Sequence, residues 1–204
     1  MGKTYKRLKM EKFDPSLLRL QDSSYAGHYE STSWDDIIDQ MNTSTETLTV
    51  FKDTPAYEHQ WASDPLYEET YSLWKENDFN FNSIKWRSYY PGIHFDGSLA
   101  TDIASYLGLN IIHSCWISRI DPGFFAPLHC DPFVAEIHDP EKGELKRYAV
   151  FITPSELGHI FILGQDHLYN FPVGTVIKWN NPNELHIGIN GSMKTKYMIN
   201  VLGY

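Results

Sequence analysis

A histidine and an aspartate stand two positions apart in the run 127–132, which reads Pro-Leu-His-Cys-Asp-Pro. If this run is a β-strand, the side chains of His129 and Asp131 project from one face and that of Cys130 from the other, because successive strand residues alternate. One imidazole and one carboxylate then converge on a single point. A third ligand must come from elsewhere in the fold, and His186, on a predicted late strand, is the best candidate.

Two histidines and one carboxylate on one face of an octahedral metal leave three coordination positions open, which is the arrangement that non-haem Fe(II) oxygenases need. The sequence therefore predicts an iron site made by His129, Asp131 and His186. A second motif with the same spacing, His94-Phe95-Asp96, lies between Pro-Gly and Gly as a loop would, so no metal site is predicted there. The remaining histidines are weaker candidates, and a structural role is expected for His159.

The elements that position these residues are predicted to be short strands. From Ile111 onward, apolar or alternating runs are separated by Pro, Gly and Asn, a pattern typical of a sandwich or barrel. Eight strands predict a mainly β protein with a double-stranded β-helix, that is, a cupin-like jelly roll. Their expected positions are near 112–120, 126–130, 146–153, 158–163, 167–171, 174–179, 184–189 and 194–202. The stretch 136–144 is expected to be a surface insertion.

The first 80 residues are expected to be helical or irregular and to cover the sheet, while residues 81–204 form the core of one domain spanning 1–204. Ser33 and Asp36 resemble a capping box that opens a short helix over 34–41. A second helix is predicted from Asp64 and Pro65, with apolar residues at helical spacing up to Trp74. A third is predicted from Ser98 to Leu107, ending at Gly108.

Charge and composition limit the classes of partner. The formal net charge is -9 and the pI is near 5.4, which opposes a broad phosphate-binding surface, so no nucleic-acid partner is expected. The basic residues between Lys3 and Lys12 lack an apolar run behind them and are expected to be a solvated tail. No stretch approaches the roughly 20 apolar residues that cross a bilayer, and two cysteines make no disulfide framework. A cytoplasmic protein without membrane contact is expected.

Two segments, 116–131 and 179–204, resemble the 2-oxoglutarate- and Fe(II)-dependent oxygenases, and in particular their aspartyl/asparaginyl β-hydroxylase branch. In the first segment, Ser118 is followed by the turn Asp121-Pro122-Gly123 and then by His129, which is similar to the branch's strand serine, Pro-Gly turn and first metal histidine. In the second, Lys196 follows His186 by ten residues. The family places an arginine or lysine there to hold the distal carboxylate of 2-oxoglutarate.

The resemblance implies roles for three further residues. Lys196 and Ser118 would bind the distal carboxylate of 2-oxoglutarate, and Arg147 would match a strand arginine that faces the site. Physical chemistry supports the role of the lysine, because a cation buried at the closed end of a small barrel needs an anionic partner. The sequence departs from the branch at Ala149, where the branch has a histidine, and it has Asp131 where some members of the branch lack the carboxylate ligand.

The function implied is a dioxygenase that uses Fe(II), 2-oxoglutarate and O2. It would hydroxylate an unactivated C–H bond of a peptidyl substrate, with an Asp, Asn or Pro-like target, or of a small molecule, and release succinate and CO2. The alternative is a cupin-like metal-binding or lectin-type jelly roll without oxygenase activity, since this fold alone implies no function. Lys196 discriminates between them, because a simple metal site has no need of a basic residue there.

Overall fold

A computed structural model describes residues 24–31, 33–44, 48–50, 76, 83–129, 139–181 and 184–204. These residues form two α-helices, α1 (Trp34–Thr43) and α2 (Ser98–Tyr106), and a short 3-10 turn at Pro140–Lys142. They also form eleven strands: β1 (Tyr25–His28), β2 (Leu48–Val50), β3 (Trp86–Tyr89), β4 (Ile112–Ile120), β5 (Phe125–His129), β6 (Lys146–Phe151), β7 (His159–Leu163), β8 (Asp166–Leu168), β9 (Thr175–Lys178), β10 (His186–Asn190) and β11 (Lys196–Gly203).

The strands form two antiparallel sheets. The larger has the order β1-β9-β6-β11-β4-β3-β2, and the smaller has the order β5-β10-β7-β8. From β4 to β11 the chain passes repeatedly between the sheets, so that β9-β6-β11-β4 face β5-β10-β7-β8. This is the connectivity of a jelly roll, or double-stranded β-helix, as the alternating runs of the sequence predicted.

Two hydrophobic cores lie on the two faces of the larger sheet. Along β11, alternate residues such as Tyr197, Ile199 and Val201 pack on one side with residues of α1 and α2. Met198 points to the other side and packs between the sheets with Phe151, Phe161, Trp179 and other apolar residues. The period of two in a strand thus assigns each residue of β11 either to the helical layer or to the interior between the sheets.

Most predicted elements are confirmed, and several details differ. β4 has the predicted bounds, and the other predicted strands agree to within about two residues at most ends. The helix after Ser33 begins as predicted, but the Ser33 side chain makes no capping hydrogen bond and instead lies 2.9 Å from the Ser31 hydroxyl. The expected helix over 64–74 lies outside the described residues. Gly108 ends α2 with a φ of 67°, as predicted for a C-terminal glycine.

Strands β1, β2 and β3 were not predicted from the sequence. β1 pairs with β9, while β2 and β3 extend the larger sheet beyond β4. They are short additions to sheet edges, and β3 reads Trp-Arg-Ser-Tyr without a clear alternation. Their pairing partners lie far along the chain, so local pattern carries little information about them.

Candidate active site

The site is built around two histidines on neighbouring strands. His129 ends β5 and His186 begins β10, and the two residues are direct cross-strand partners. Their ring centroids are 4.1 Å apart with an interplanar angle of 49°, and both side chains are buried. The antiparallel register therefore brings together two residues separated by 57 positions in the sequence (186 minus 129).

Hydrogen bonds to the backbone fix which ring nitrogen each histidine presents. His129 Nδ1 lies 2.6 Å from the carbonyl oxygen of Pro127, and His186 Nδ1 lies 3.1 Å from that of Glu184. A carbonyl can only accept, so each Nδ1 carries the proton and donates it, which leaves the lone pair on each Nε2. Histidines that bind metals in proteins are oriented in the same way by backbone carbonyls. A metal bound through the two Nε2 atoms would replace the contact that Nε2 of His186 makes with Nη2 of Arg147.

A buried arginine lies against this pair. Arg147, on β6, is 2% exposed, and its Nη2 lies 3.2 Å from Nε2 of His186. Its guanidinium carbon is 4.4 Å from the ring centroid of Trp179 and 6.0 Å from that of Trp116. Arg147 thus lies beside His186, and its predicted part in binding 2-oxoglutarate stays a prediction. Guanidinium and imidazole share a small interior volume, in which a bound anion would be strongly stabilised.

Lys196, the first residue of β11, is also buried in the interior between the sheets. It is 2% exposed, and its Nζ donates a hydrogen bond of 2.7 Å to the carbonyl oxygen of Ile160. Three phenylalanine rings, those of Phe151, Phe161 and Phe171, lie within 5.9 Å of its ammonium group. Across the described part of the chain, no carboxylate lies within salt-bridge distance of it.

This environment destabilises the charged form of the lysine. Burial lowers the pKa of Lys196 from its usual 10.5 to about 7. Aromatic faces and one carbonyl compensate only part of the lost hydration of an ammonium ion. Among the described residues, the ammonium group of Lys196 is thus buried with a carbonyl and aromatic rings around it rather than a carboxylate.

Ser118 lies on the same inner face, next to an amide that sequence analysis missed. Asn200 is 2% exposed, and its Nδ2 donates a hydrogen bond of 3.0 Å to Oγ of Ser118. The available signal was an asparagine among the mainly apolar residues that follow Lys196 in β11, at even spacing from Lys196 and Met198. Because strand side chains alternate, these positions share one face.

The third predicted metal ligand, Asp131, and its neighbour Cys130 lie outside the described residues. Within the ranges that the structure describes, no group of three His, Cys, Asp or Glu side chains is close enough together to hold a metal ion. Asp131 therefore stays a prediction. Its position two residues after His129 is the sequence observation behind that prediction.

The second histidine-aspartate motif is a loop, as expected. The backbone N–H of Tyr90 donates to His94 Nδ1 at 2.9 Å, and that of Ser98 donates to Asp96 Oδ1 at 2.9 Å. The latter contact lowers the pKa of Asp96. His159 likewise makes structural contacts, since its Nε2 lies 3.0 Å from the carbonyl oxygen of Lys194.

Comparison with known proteins gave similarities at the level of structure alone. No protein-family model matches the sequence, and no curated protein sequence matches it. A viral collagen prolyl hydroxylase from Paramecium bursaria Chlorella virus-1, in complex with 2-oxoglutarate, is 15% identical, with a TM-score of 0.43, over 66% of this chain and 88% of that one. An oxidoreductase of the 2-oxoglutarate–Fe(II) oxygenase family from Burkholderia pseudomallei is 12% identical, with a TM-score of 0.40, over 87% and 92%.

A predicted oxalate decarboxylase from Thermotoga maritima is also similar, at 12% identity and a TM-score of 0.37, over 58% of this chain and 80% of that one. Oxygenases and a predicted decarboxylase thus both occur among the similar structures. Among the helices in the described ranges, none is long and apolar enough to cross a membrane.

Proposed function

We propose that this protein is a 2-oxoglutarate- and Fe(II)-dependent dioxygenase. It would hydroxylate an unactivated C–H bond of a peptidyl or small-molecule substrate, releasing succinate and CO2. The observation that carries the proposal is the combination, in one interior, of two buried histidines that face each other across neighbouring strands and a buried lysine that has no carboxylate partner among the described residues. The histidine pair would bind a metal ion, and the lysine would bind an anion.

In this proposal, His129, Asp131 and His186 hold the metal, and Lys196 holds the distal carboxylate of 2-oxoglutarate. When bound, Fe(II) together with 2-oxoglutarate supplies the activation of O2. The carbonyls of Pro127 and Glu184 hold the two Nδ1–H groups, so that each imidazole would bind the metal through Nε2.

The other interior side chains orient the anion and exclude water. Phe151, Phe161 and Phe171 surround the ammonium group of Lys196 and exclude water, so that a bound carboxylate would stabilise its charged form strongly. Arg147 provides a second positive charge beside His186. Trp179 packs against that guanidinium and closes the interior on the side of β9.

The test is an anaerobic titration of metal-free protein with Fe(II) and 2-oxoglutarate, following the weak visible charge-transfer band of the chelate. Wild type is expected to develop the band, and His186→Ala is expected to lose it. His167→Ala is the matched control, because His167 is exposed on β8 and lies outside the site.

The outcomes separate the oxygenase from the cupin-like alternative. Tight metal binding by wild type without a band and without 2-oxoglutarate binding would favour a metal-binding jelly roll. Absence of metal binding would contradict the proposed iron site altogether. Assignment to the aspartyl/asparaginyl β-hydroxylase branch, with its peptide substrates, requires in addition that a peptide stimulates the release of succinate.

A further inference from the structure

Asn200 is a buried amide on the interior face of the larger sheet. Its cross-strand partners are Trp116 on β4 and Ala149 on β6. Both of these offer only apolar surface or indole to the asparagine side chain. Burial of an amide costs free energy unless the amide is hydrogen-bonded. The hydrogen bond that Asn200 makes is therefore the observation from which its role is inferred.

That contact is with Ser118. A hydroxyl has one donor and two acceptor lone pairs, and Asn200 Nδ2 donates to one of these lone pairs at 3.0 Å. The hydroxyl hydrogen of Ser118 must then point away from the amide. Within the described ranges no second hydrogen-bond partner of Ser118 Oγ is observed.

On the side away from Asn200, the hydroxyl group of Ser118 faces Lys196. In the pairing of β4 with β11, Ser118 lies opposite Met198, and the next inward pair is Ile120 opposite Lys196. Ser118 is therefore a diagonal neighbour of the lysine on the same face, at a separation that side chains and a small ligand can span. Ser118 is half-buried, although it faces between the sheets.

We propose that Asn200 is a positioning residue that holds the Ser118 hydroxyl as a hydrogen-bond donor to the carboxylate bound at Lys196. This inference rests on the proposed function and names the part of the site that selects its anion. An ammonium group alone does not discriminate between anions of different shape. A hydroxyl whose hydrogen is directed from one side favours a planar carboxylate held in one orientation.

The experiment is a double-mutant cycle read by equilibrium binding. 2-Oxoglutarate is titrated calorimetrically into Mn(II)-loaded wild type, Ser118→Ala, Asn200→Ala and the double variant. Each single change is expected to weaken binding about tenfold or more, as for the loss of a hydrogen bond to a charged group. The double variant is expected to bind no more weakly than Ser118→Ala, because Asn200 acts through the serine.

Two further variants address polarity and folding. Asn200→Asp is expected to bind 2-oxoglutarate more weakly than Asn200→Ala, since the new carboxylate would accept the hydrogen bond of the Ser118 hydroxyl and repel the ligand. Asn200→Leu fills the same volume without polar atoms and serves if the alanine variant does not fold. Asn110→Ala, at an exposed position, is the matched control and should bind as wild type does.

Equal effects of Asn200→Ala in wild type and in the Ser118→Ala variant would overturn the inference, as would wild-type affinity in Asn200→Ala. Glutarate, which lacks the keto group that chelates metal, separates this result from failure of the proposed function. Binding of glutarate to metal-free protein that depends on Ser118 and Asn200 in the same non-additive way supports the inference even if no chelate forms. Binding of neither acid to wild type would overturn both.

Discussion

Lys196 shows at the scale of a single residue how function and stability oppose each other. Its ammonium group is buried among three phenylalanine rings and is stabilised by one carbonyl, that of Ile160. A charge in such surroundings lowers the stability of the ligand-free protein, because it has lost its hydration and has no carboxylate partner among the described residues. In the proposed function, the same loss of hydration would strengthen the binding of an anion.

Lys196→Met is therefore expected to raise the free energy of unfolding of the ligand-free protein by about 1–2 kcal/mol, since it removes a buried charge and keeps the apolar stem. Urea denaturation measures this change. Lys194→Met is the control, because the Lys194 side chain is 66% exposed and its ion pair with Glu156 is on the surface, where little change is expected. A less stable Lys196→Met variant would contradict the assignment of Lys196 as a buried cation without a counter-ion.

The dependence of stability on pH provides a second test of this residue. The pKa of Lys196 is about 7 in the folded protein and 10.5 in the unfolded chain. Between these values the unfolded chain binds more protons, so the stability contributed by this group rises with pH from 7 to 10.5 and is lost as pH falls toward 7. The urea midpoint is expected to rise from pH 7 to pH 8.5 by more in wild type than in Lys196→Met. Parallel midpoints in the two proteins would count against a depressed pKa.

At the scale of elements, tight turns at the β10-β11 end of the barrel hold the strand that carries Lys196. Gly191 N–H donates to the carbonyl oxygen of Gly158, and Asn190 Nδ2 donates to the carbonyl oxygens of Ile120 and Lys194. The three connections β4-β5, β6-β7 and β10-β11 thus meet in one hydrogen-bonded cluster. The cluster fixes where β11 begins, and with it the position of the lysine.

Gly158 is the position where this cluster leaves no room for a side chain. Its φ is 102°, and a Cβ atom there would lie 2.6 Å from the backbone carbon of Gly191. Gly158→Ala is expected to cost roughly 3 kcal/mol or more, because conformational strain and a clash with backbone add together. Gly143→Ala has a φ of 96° but nothing within 4 Å of its Cβ, so it should cost only about 1–2 kcal/mol. Equal urea midpoints for the two variants would show that the clash is relieved by movement of the turn.

At the scale of the whole molecule, the proposed ligands would bind in the interior between the two sheets. The smaller sheet supplies His129 and His186, and the larger supplies Arg147, Lys196, Ser118 and Asn200. A ligand that contacts both sheets binds the folded state alone. It therefore stabilises the whole fold by linkage rather than one local element.

Addition of Mn(II) and 2-oxoglutarate, each at about 100 times its Kd, is expected to stabilise wild type by about 2.7 kcal/mol per ligand. For a chain of this size that corresponds to a rise in Tm of roughly 5–10 °C per ligand. In Lys196→Met the increment from Mn(II) should remain and that from 2-oxoglutarate should disappear. A rise in Tm caused by 2-oxoglutarate in that variant would show that 2-oxoglutarate binds without Lys196.

Local patterns along the chain were enough to predict the jelly roll and the bounds of its main strands. Alternation and turn residues are local signals, and they located β4 without error and most of β5 to β11 closely. The spacing of Lys196 from His186, together with the resemblance to oxygenases, also pointed to the lysine that the structure buries. The edge strands β1 to β3 escaped detection, because their pairing depends on distant partners.

Which residues meet one another depends on the packed fold. Cross-strand register brings His129 against His186, and neither a motif nor a periodicity contains the register of strands so far apart in the chain. The same holds for Asn200 and Ser118, whose contact spans 82 positions. A local pattern gives each residue its face of a strand, whereas packing of the two sheets gives it a partner, and chemistry at this site depends on partners.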